Sequence, residues 1–212
     1  MTDYFDNFPY DVKSIGLSLS GGTDSALAFY MLLKTLSERG QKTNVHAMHG
    51  YDINRKIARS YEAADRVYNW ITSQFDIDVP PLFTFAYNKV NDGSKYQYHY
   101  PNVIYLKNKY NIVDVIMGDT LGMPNNSRPV FKNDCTDPDE QELIQMSKDY
   151  PLRLPFVHFD KKFIAAQYEA FNLSELSKLT VSCIGDDILP CKKCWWCVER
   201  KWAFNNFDGG VD

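Results

Sequence analysis

Long apolar runs are missing from this 212-residue chain: none approaches the ~20 residues that a membrane-crossing helix needs. Missing too are the two commonest glycine-rich phosphate cradles. No G-x-x-x-x-G-K-[ST] loop occurs, which excludes a Walker-type site, and no G-x-G-x-x-G occurs, which excludes a dinucleotide fingerprint. The net charge is only −4, so nothing electrostatic argues for nucleic acid as a general partner. The opening residues Met1-Thr2-Asp3-Tyr4-Phe5-Asp6 are acidic and unlike a secretion signal, so a cytosolic location is expected. Cysteine is scarce outside one stretch. Of five, four fall between residues 183 and 197, and in a reducing compartment such a cluster points to metal rather than disulfides. Cys135 stands alone in a polar stretch, with no neighbour to activate it as a nucleophile.

What is present suits one sizeable core. Hydrophobic residues make up 44% and charged residues 24%, the balance of a globular protein. Short apolar segments read as strands at 15–19, 45–48, 82–87, 112–117 and 154–158. A helix follows the first strand to about Glu38, with Gly40 as its stop. From Ile57 to Phe75, Ile57, Tyr61, Ala64, Tyr68, Ile71 and Phe75 recur at helical spacing. Another helix opens at Asp160, while residues 1–12 read as a loose lead-in. Strands alternating with helices imply an α/β fold, an open parallel sheet with helices on both faces. In such sheets ligands sit beyond the carboxyl ends of the strands.

The first strand runs into Leu19-Ser20-Gly21-Gly22-Thr23-Asp24-Ser25. Two glycines let the backbone turn tightly and come close to a ligand. The helix behind them offers unpaired N–H groups and the positive end of its dipole, and Ser20, Thr23 and Ser25 add hydroxyls. Asp24 would repel a phosphate unless a divalent cation such as Mg²⁺ lay between them. An ordinary strand-to-helix turn capped by Thr23 or Asp24 shares this composition. The loop resembles, in full, the S-G-G-x-D-S loop of the PP-loop ATP pyrophosphatases. That resemblance implies an adenine nucleotide alpha-hydrolase-like fold with ATP on residues Leu19 to Ser25. It also implies cleavage between the α- and β-phosphates, and activation of a substrate as its adenylate.

Three further places bear on chemistry. Asp119 and Arg128 follow the fourth strand and are candidates for holding substrate, Arg128 by bidentate pairing with a carboxylate or phosphate. Lysine at the start of the Asp160 helix is unfavourable for the dipole, and gains a reason there if it reaches toward phosphates. Cys183, Cys191, Cys194 and Cys197 form C-x7-C-x2-C-x2-C, which suits tetrahedral Zn²⁺ in a closed structural site. An iron–sulfur cluster and redox chemistry at a C-x-x-C step are the competing readings. The tryptophans around the cysteines, Trp195, Trp196 and Trp202, are expected to pack this module on the main domain. A basic, aromatic module that binds nucleic acid is the alternative.

Taken in order, the loop, Arg128-Pro129, Asp160-Lys161-Lys162-Phe163-Ile164, Thr180-Val181-Ser182-Cys183, Pro190-Cys191-Lys192-Lys193-Cys194-Trp195-Trp196-Cys197 and Arg200-Lys201-Trp202-Ala203-Phe204 resemble the 7-cyano-7-deazaguanine synthase family of queuosine biosynthesis. The resemblance implies an ATP pyrophosphatase domain over 1–180 and a zinc module over 181–212, with Zn²⁺ on the four cysteines. It implies Asp24 and Lys161 as catalytic residues, Lys162 being the fallback for the lysine. It also implies Mg²⁺-ATP, a purine-like acid and ammonia as reactants of an ATP-dependent ligase, and a homodimer. Two places differ from the family. His49-Gly50-Tyr51-Asp52-Ile53 stands where a Tyr-Gly-Gln stretch is usual, and Met123-Pro124-Asn125-Asn126-Ser127 where Tyr-Pro-Asp-Cys is usual. The same ATP chemistry on another acid, a tRNA base or a protein terminus is therefore a second reading, and a non-catalytic zinc module a third.

Overall fold

The computed structural model describes residues 3–52, 58–87, 107–112, 114–118, 120–121, 123, 144–145, 152–183, 185 and 189–211. Among the described residues, five strands form one open, all-parallel sheet. Strand β1 (Ser14–Ser18) is central, flanked by β2 (Asn44–Asp52) and β4 (Val115–Ile116). Its register runs from Ser14 opposite Asn44 to Ser18 opposite Met48, with Gly16 opposite Val115 on the other side. Strands β3 (Phe83–Tyr87) and β5 (Leu152–Arg153) form the two edges.

The alternation along β1 accounts for the layers. Ile15 and Leu17 face one large apolar cluster, while Gly16 faces Met48, Val115 and Ile112 on the opposite side. The large cluster is built with α2 (Thr23–Arg39) and α3 (Ala58–Thr72), and with α4 (Lys161–Ala170) and α5 (Ser174–Leu179). Helix α6 (Trp195–Phe204) packs on α4. Helix α2 is buried along most of its length, which suits its run of Leu27, Phe29, Met31, Leu32 and Leu33. It ends as the sequence predicts. Gly40 adopts the left-handed conformation (φ 58°), and Gln41 donates back to the Leu36 carbonyl at 2.9 Å.

The chain winds β1-α2-β2-α3-β3 to one side of β1 and then crosses to β4 on the other. The carboxyl ends of β1 and β4 therefore flank the point where strand order reverses, the usual place for a ligand in an open α/β sheet.

Three expectations need correction. The lead-in is anchored, because α1 (Asp3–Asp6) buries Phe5, and Phe8 follows it into the core. The Arg39 guanidinium donates to the carbonyls of Phe5, Asp6 and Phe8. The 154–158 run is a turn rather than a strand; β5 precedes it. Pro155 has no N–H for a ladder, and Phe156 instead packs on Phe5 and Phe163 at ring distances of 6.3 and 6.4 Å. In α3 the buried stripe is Ala64, Val67, Tyr68 and Ile71, whereas Tyr61 is 44% exposed.

Candidate functional site

The loop between β1 and α2 is tied by its own polar groups. The Ser20 N–H donates to Ser25 Oγ at 3.1 Å, and the two hydroxyls lie 2.9 Å apart. The Gly22 N–H donates to Ser20 Oγ at 3.3 Å, and the Ser25 hydroxyl to the Gly22 carbonyl at 3.2 Å. Gly22, not Thr23 or Asp24, is the residue that caps α2, and among the described residues no side-chain cap bonds the first-turn N–H groups. That end of the helix keeps its partial positive charge for a ligand.

Close packing sets the loop's position. Gly21 has φ +84°, and a Cβ there would lie 2.8 Å from the Ala64 N and 2.9 Å from the Ser60 carbonyl, both on α3. Gly118, just past β4, presses on the first turn of α2, where a Cβ would lie 2.5 Å from the Asp24 carbonyl carbon.

Asp24 faces a cleft of about 350 Å³ whose lining includes Ser20, Gly22, His49, Gly118, Lys161 and Trp196. Lys161 enters it from the first turn of α4. Asp160 caps that helix by accepting from the Phe163 N–H at 3.1 Å. The Lys161 ammonium is paired with the Asp24 carboxylate and lies 3.4 Å from Glu199 Oε2 on α6. Burial alone would lower its pKa, but Asp24 and Glu199 outweigh that and hold it above the ordinary lysine range. Lys162 points away and sits 4.7 Å over the Trp202 ring. Tyr168 links α4 to the loop by donating to the Thr23 carbonyl at 2.9 Å.

The other wall is the cysteine module. The four Sγ atoms of Cys183, Cys191, Cys194 and Cys197 lie within 4.8 Å of one another. The Cys191–Cys197 separation is 3.9 Å. A tetrahedron with Zn–S bonds of about 2.3 Å has edges of about 3.8 Å, so the cluster fits one ion. Backbone N–H groups of Gly185 and Cys191 point at Cys183 Sγ, and that of Cys194 at Cys191 Sγ, all at 3.3 Å. These donors stabilise thiolates. Burial pushes the Cys183 thiol up, and the Cys194 thiol beside it pushes Cys197 up. So many thiolates this close call for a cation between them.

The walls are joined. The Val181 N–H donates to the Gly21 carbonyl at 2.9 Å. Arg200, wholly buried, donates to Thr180 Oγ1 at 2.7 Å and to the Ser177 carbonyl at 2.8 Å. It also lies 3.3 Å from Asp208, which accepts from the Ser182 and Cys183 N–H groups at 2.8 and 2.9 Å.

The structure thus brings together Leu19 to Ser25, Lys161 and the cysteine cluster. Asp119, Arg128 and Cys135 lie outside the described residues. Sequence reasoning missed Glu199, named Arg200 only within a motif and without a role, and named His49 only as part of the stretch that differs from the resembled family. Arg200 follows Cys197 by three and precedes Phe204 by four, so helical spacing was its available signal. His49 is 2% exposed, with its Nδ1 2.9 Å from the Leu19 carbonyl and, among the described residues, no hydrogen-bond partner for its Nε2.

Sheet order, loop position and cysteine cluster define an α/β protein with an open, all-parallel sheet, a glycine-rich loop at the strand-order reversal and a C-terminal four-cysteine cluster. Among solved structures, the chain is similar to NMN synthetase from Francisella tularensis. The identity is 15%, 95% of this chain and 81% of that one are covered, and the TM-score is 0.52. It also matches the U34-tRNA thiolase NcsA from Methanococcus maripaludis with its 4Fe-4S cluster (12% identity, 76% and 58% covered, TM-score 0.48). A third match is NAD+ synthetase from Burkholderia pseudomallei (12%, 100% and 78%, 0.42). At these identities the likeness concerns the fold. No protein-family model matches the chain, and no curated protein does.

Proposed function

We propose that this chain is an ATP-dependent ligase that adenylates a carboxylate and couples it to ammonia, converting 7-carboxy-7-deazaguanine to 7-cyano-7-deazaguanine. The observation that carries the ATP half is the Ser-Gly-Gly-Thr-Asp-Ser loop at the strand-order reversal. There the first turn of α2, which lacks a side-chain cap, meets Asp24 and the buried Lys161 ammonium. The deazaguanine half rests on the sequence resemblance.

In this reading the ATP phosphates lie against the first-turn N–H groups of α2 and the Ser20 and Ser25 hydroxyls. The donors that the loop's side chains offer are all oxygen, which suits Mg²⁺ held through Asp24; the ion would neutralise phosphate charge. Lys161 balances the charge that grows on the departing pyrophosphate. The substrate carboxylate attacks the α-phosphorus, and the bond to the β-phosphate oxygen breaks. Ammonia then displaces AMP to give the amide. A second ATP activates the amide oxygen, and loss of AMP and a proton leaves the nitrile. Zn²⁺ held by Cys183, Cys191, Cys194 and Cys197 would leave no position open to substrate and would brace the far wall of the cleft.

One incubation tests this: protein, Mg²⁺-ATP, ammonium and 7-carboxy-7-deazaguanine, with nucleotide and purine products identified by mass. AMP together with the nitrile is the expected result. AMP without nitrile supports the second reading, the same chemistry on another acid, a tRNA base or a protein terminus. That reading is favoured by His49, which lines the cleft where the resembled family carries a different stretch. Absence of both AMP formation and ATP binding would overturn both readings and leave the zinc module as a binding element.

A further inference from the structure

A carboxylate oxygen paired with a buried lysine is poorly placed to hold a second cation, because the two positive charges repel. Asp24 Oδ2 is bound to the Lys161 ammonium, and Oδ1 accepts from the Thr23 hydroxyl at 3.2 Å. Taking a divalent cation on Oδ2 therefore requires Lys161 to loosen its hold. A released ammonium buried here would be strongly disfavoured unless another negative group received it. Glu199 is placed to do so. Its Oε2 lies 3.4 Å from the ammonium, and its side chain is as buried as that of the lysine.

We propose that Glu199 is a positioning residue. It gives Lys161 a second carboxylate to hold, so that Asp24 can release the lysine and take up the divalent cation that accompanies ATP. This rests on the reading of the cleft as a Mg²⁺-ATP site. Glu199 is fixed in turn by α6, which begins after Cys194, carries Cys197 and packs on α4. The carboxylate that receives the lysine is thereby built into the cysteine module, two residues beyond one of its thiols.

The test is the Mg²⁺ dependence of ATP binding, measured by calorimetry on the full chain. With Glu199→Gln, the ammonium has Asp24 alone, and the cation must break that pair. The Mg²⁺ concentration for half-maximal binding should rise roughly tenfold or more, while ATP affinity at saturating Mg²⁺ moves less. Glu199→Asp keeps the charge and should give a smaller rise; it carries the test if thermal melting shows the Gln variant unfolded. In a Lys161→Met background the competitor is gone, so Glu199→Gln should produce no further Mg²⁺ shift. An unchanged Mg²⁺ dependence in Glu199→Gln overturns the proposal, as does an equal shift with Lys161 absent, which would mean a general loosening of α6. A wild-type protein that binds ATP with no need of Mg²⁺ would sink the inference but leave the nucleotide site standing. One that binds no ATP would remove both.

Discussion

The two walls of the cleft are held by different means. The loop wall closes on itself: Ser20, Gly22 and Ser25 satisfy one another, and Gly21 and Gly118 let it seat against α3 and β4. The cysteine wall gathers four thiols around a point, steadied by Arg200 and Asp208. Its four sulfurs lie too close together to stay ionised unaided. The first wall is therefore ordered by the chain's own stereochemistry, whereas the second has the geometry for an ion to complete it. Because Val181 donates to Gly21 and Lys161 bridges Asp24 to Glu199, damage to either wall should be transmitted to the other.

Removing the metal should break this comparison most visibly. Structural zinc binds with an apparent ~10–16 kcal/mol in zinc-finger peptides, as much as the ~5–15 kcal/mol that stabilises a whole domain. The protein should carry one zinc per chain by elemental analysis. Chelation should release it, leave most of the sheet signal in circular dichroism, and abolish Mg²⁺-ATP binding through loss of the far wall. Metal-free protein that binds ATP as well as the loaded form would show the walls to be independent.

Substitutions within the loop sharpen the contrast at smaller scale. Gly21→Ala forces a side chain into α3 backbone at positive φ, and should cost about 1–3 kcal/mol or more in denaturant unfolding. Gly22→Ala, one residue on, meets nothing closer than Ser20 Oγ at 3.4 Å. Its φ of −83° and ψ of 168° suit any residue. The cost there should be the loss of a favourable capping residue, about 1 kcal/mol or less. Equal costs at the two positions would mean that the loop is not seated by close packing.

Much of this architecture is legible in the sequence, and the reasons divide cleanly. The order of strands and helices, the Gly40 stop and the cysteine cluster are local patterns, written in spacing and in residues with special backbones. The partners of buried charge are not local. Asp24 and Lys161 are 137 residues apart, and nothing in the intervening sequence tells that Glu199 completes the group. The run from Leu154 to His158 misleads because an apolar stretch buries equally well as strand or turn, and Pro155 decides between them only when its missing N–H is counted. Tyr61 misleads because a tyrosine satisfies a helical period from the edge of a stripe as readily as from its centre.

His49 offers the finest distinction between the walls. A carbonyl only accepts, so Nδ1 must donate to Leu19, which leaves Nε2 unprotonated in the neutral ring. Burial lowers the His49 pKa, opposed in part by that hydrogen bond. The folded state therefore resists a proton that the unfolded chain accepts near pH 6.5. Below about that pH the unfolded state binds more protons, and stability falls with pH until His49 itself is protonated in the fold. His49→Asn, which keeps a donor for Leu19 and cannot titrate, should flatten the acid limb of stability measured between about pH 8 and pH 5. The slope that remains should belong to carboxylates and, with a metal on the four cysteines, to proton competition for their thiolates. If zinc release and unfolding coincide in the Asn variant but not in the wild type, the loop wall fails first in the native protein. Coincidence in both would assign the acid limb to the cysteine wall instead.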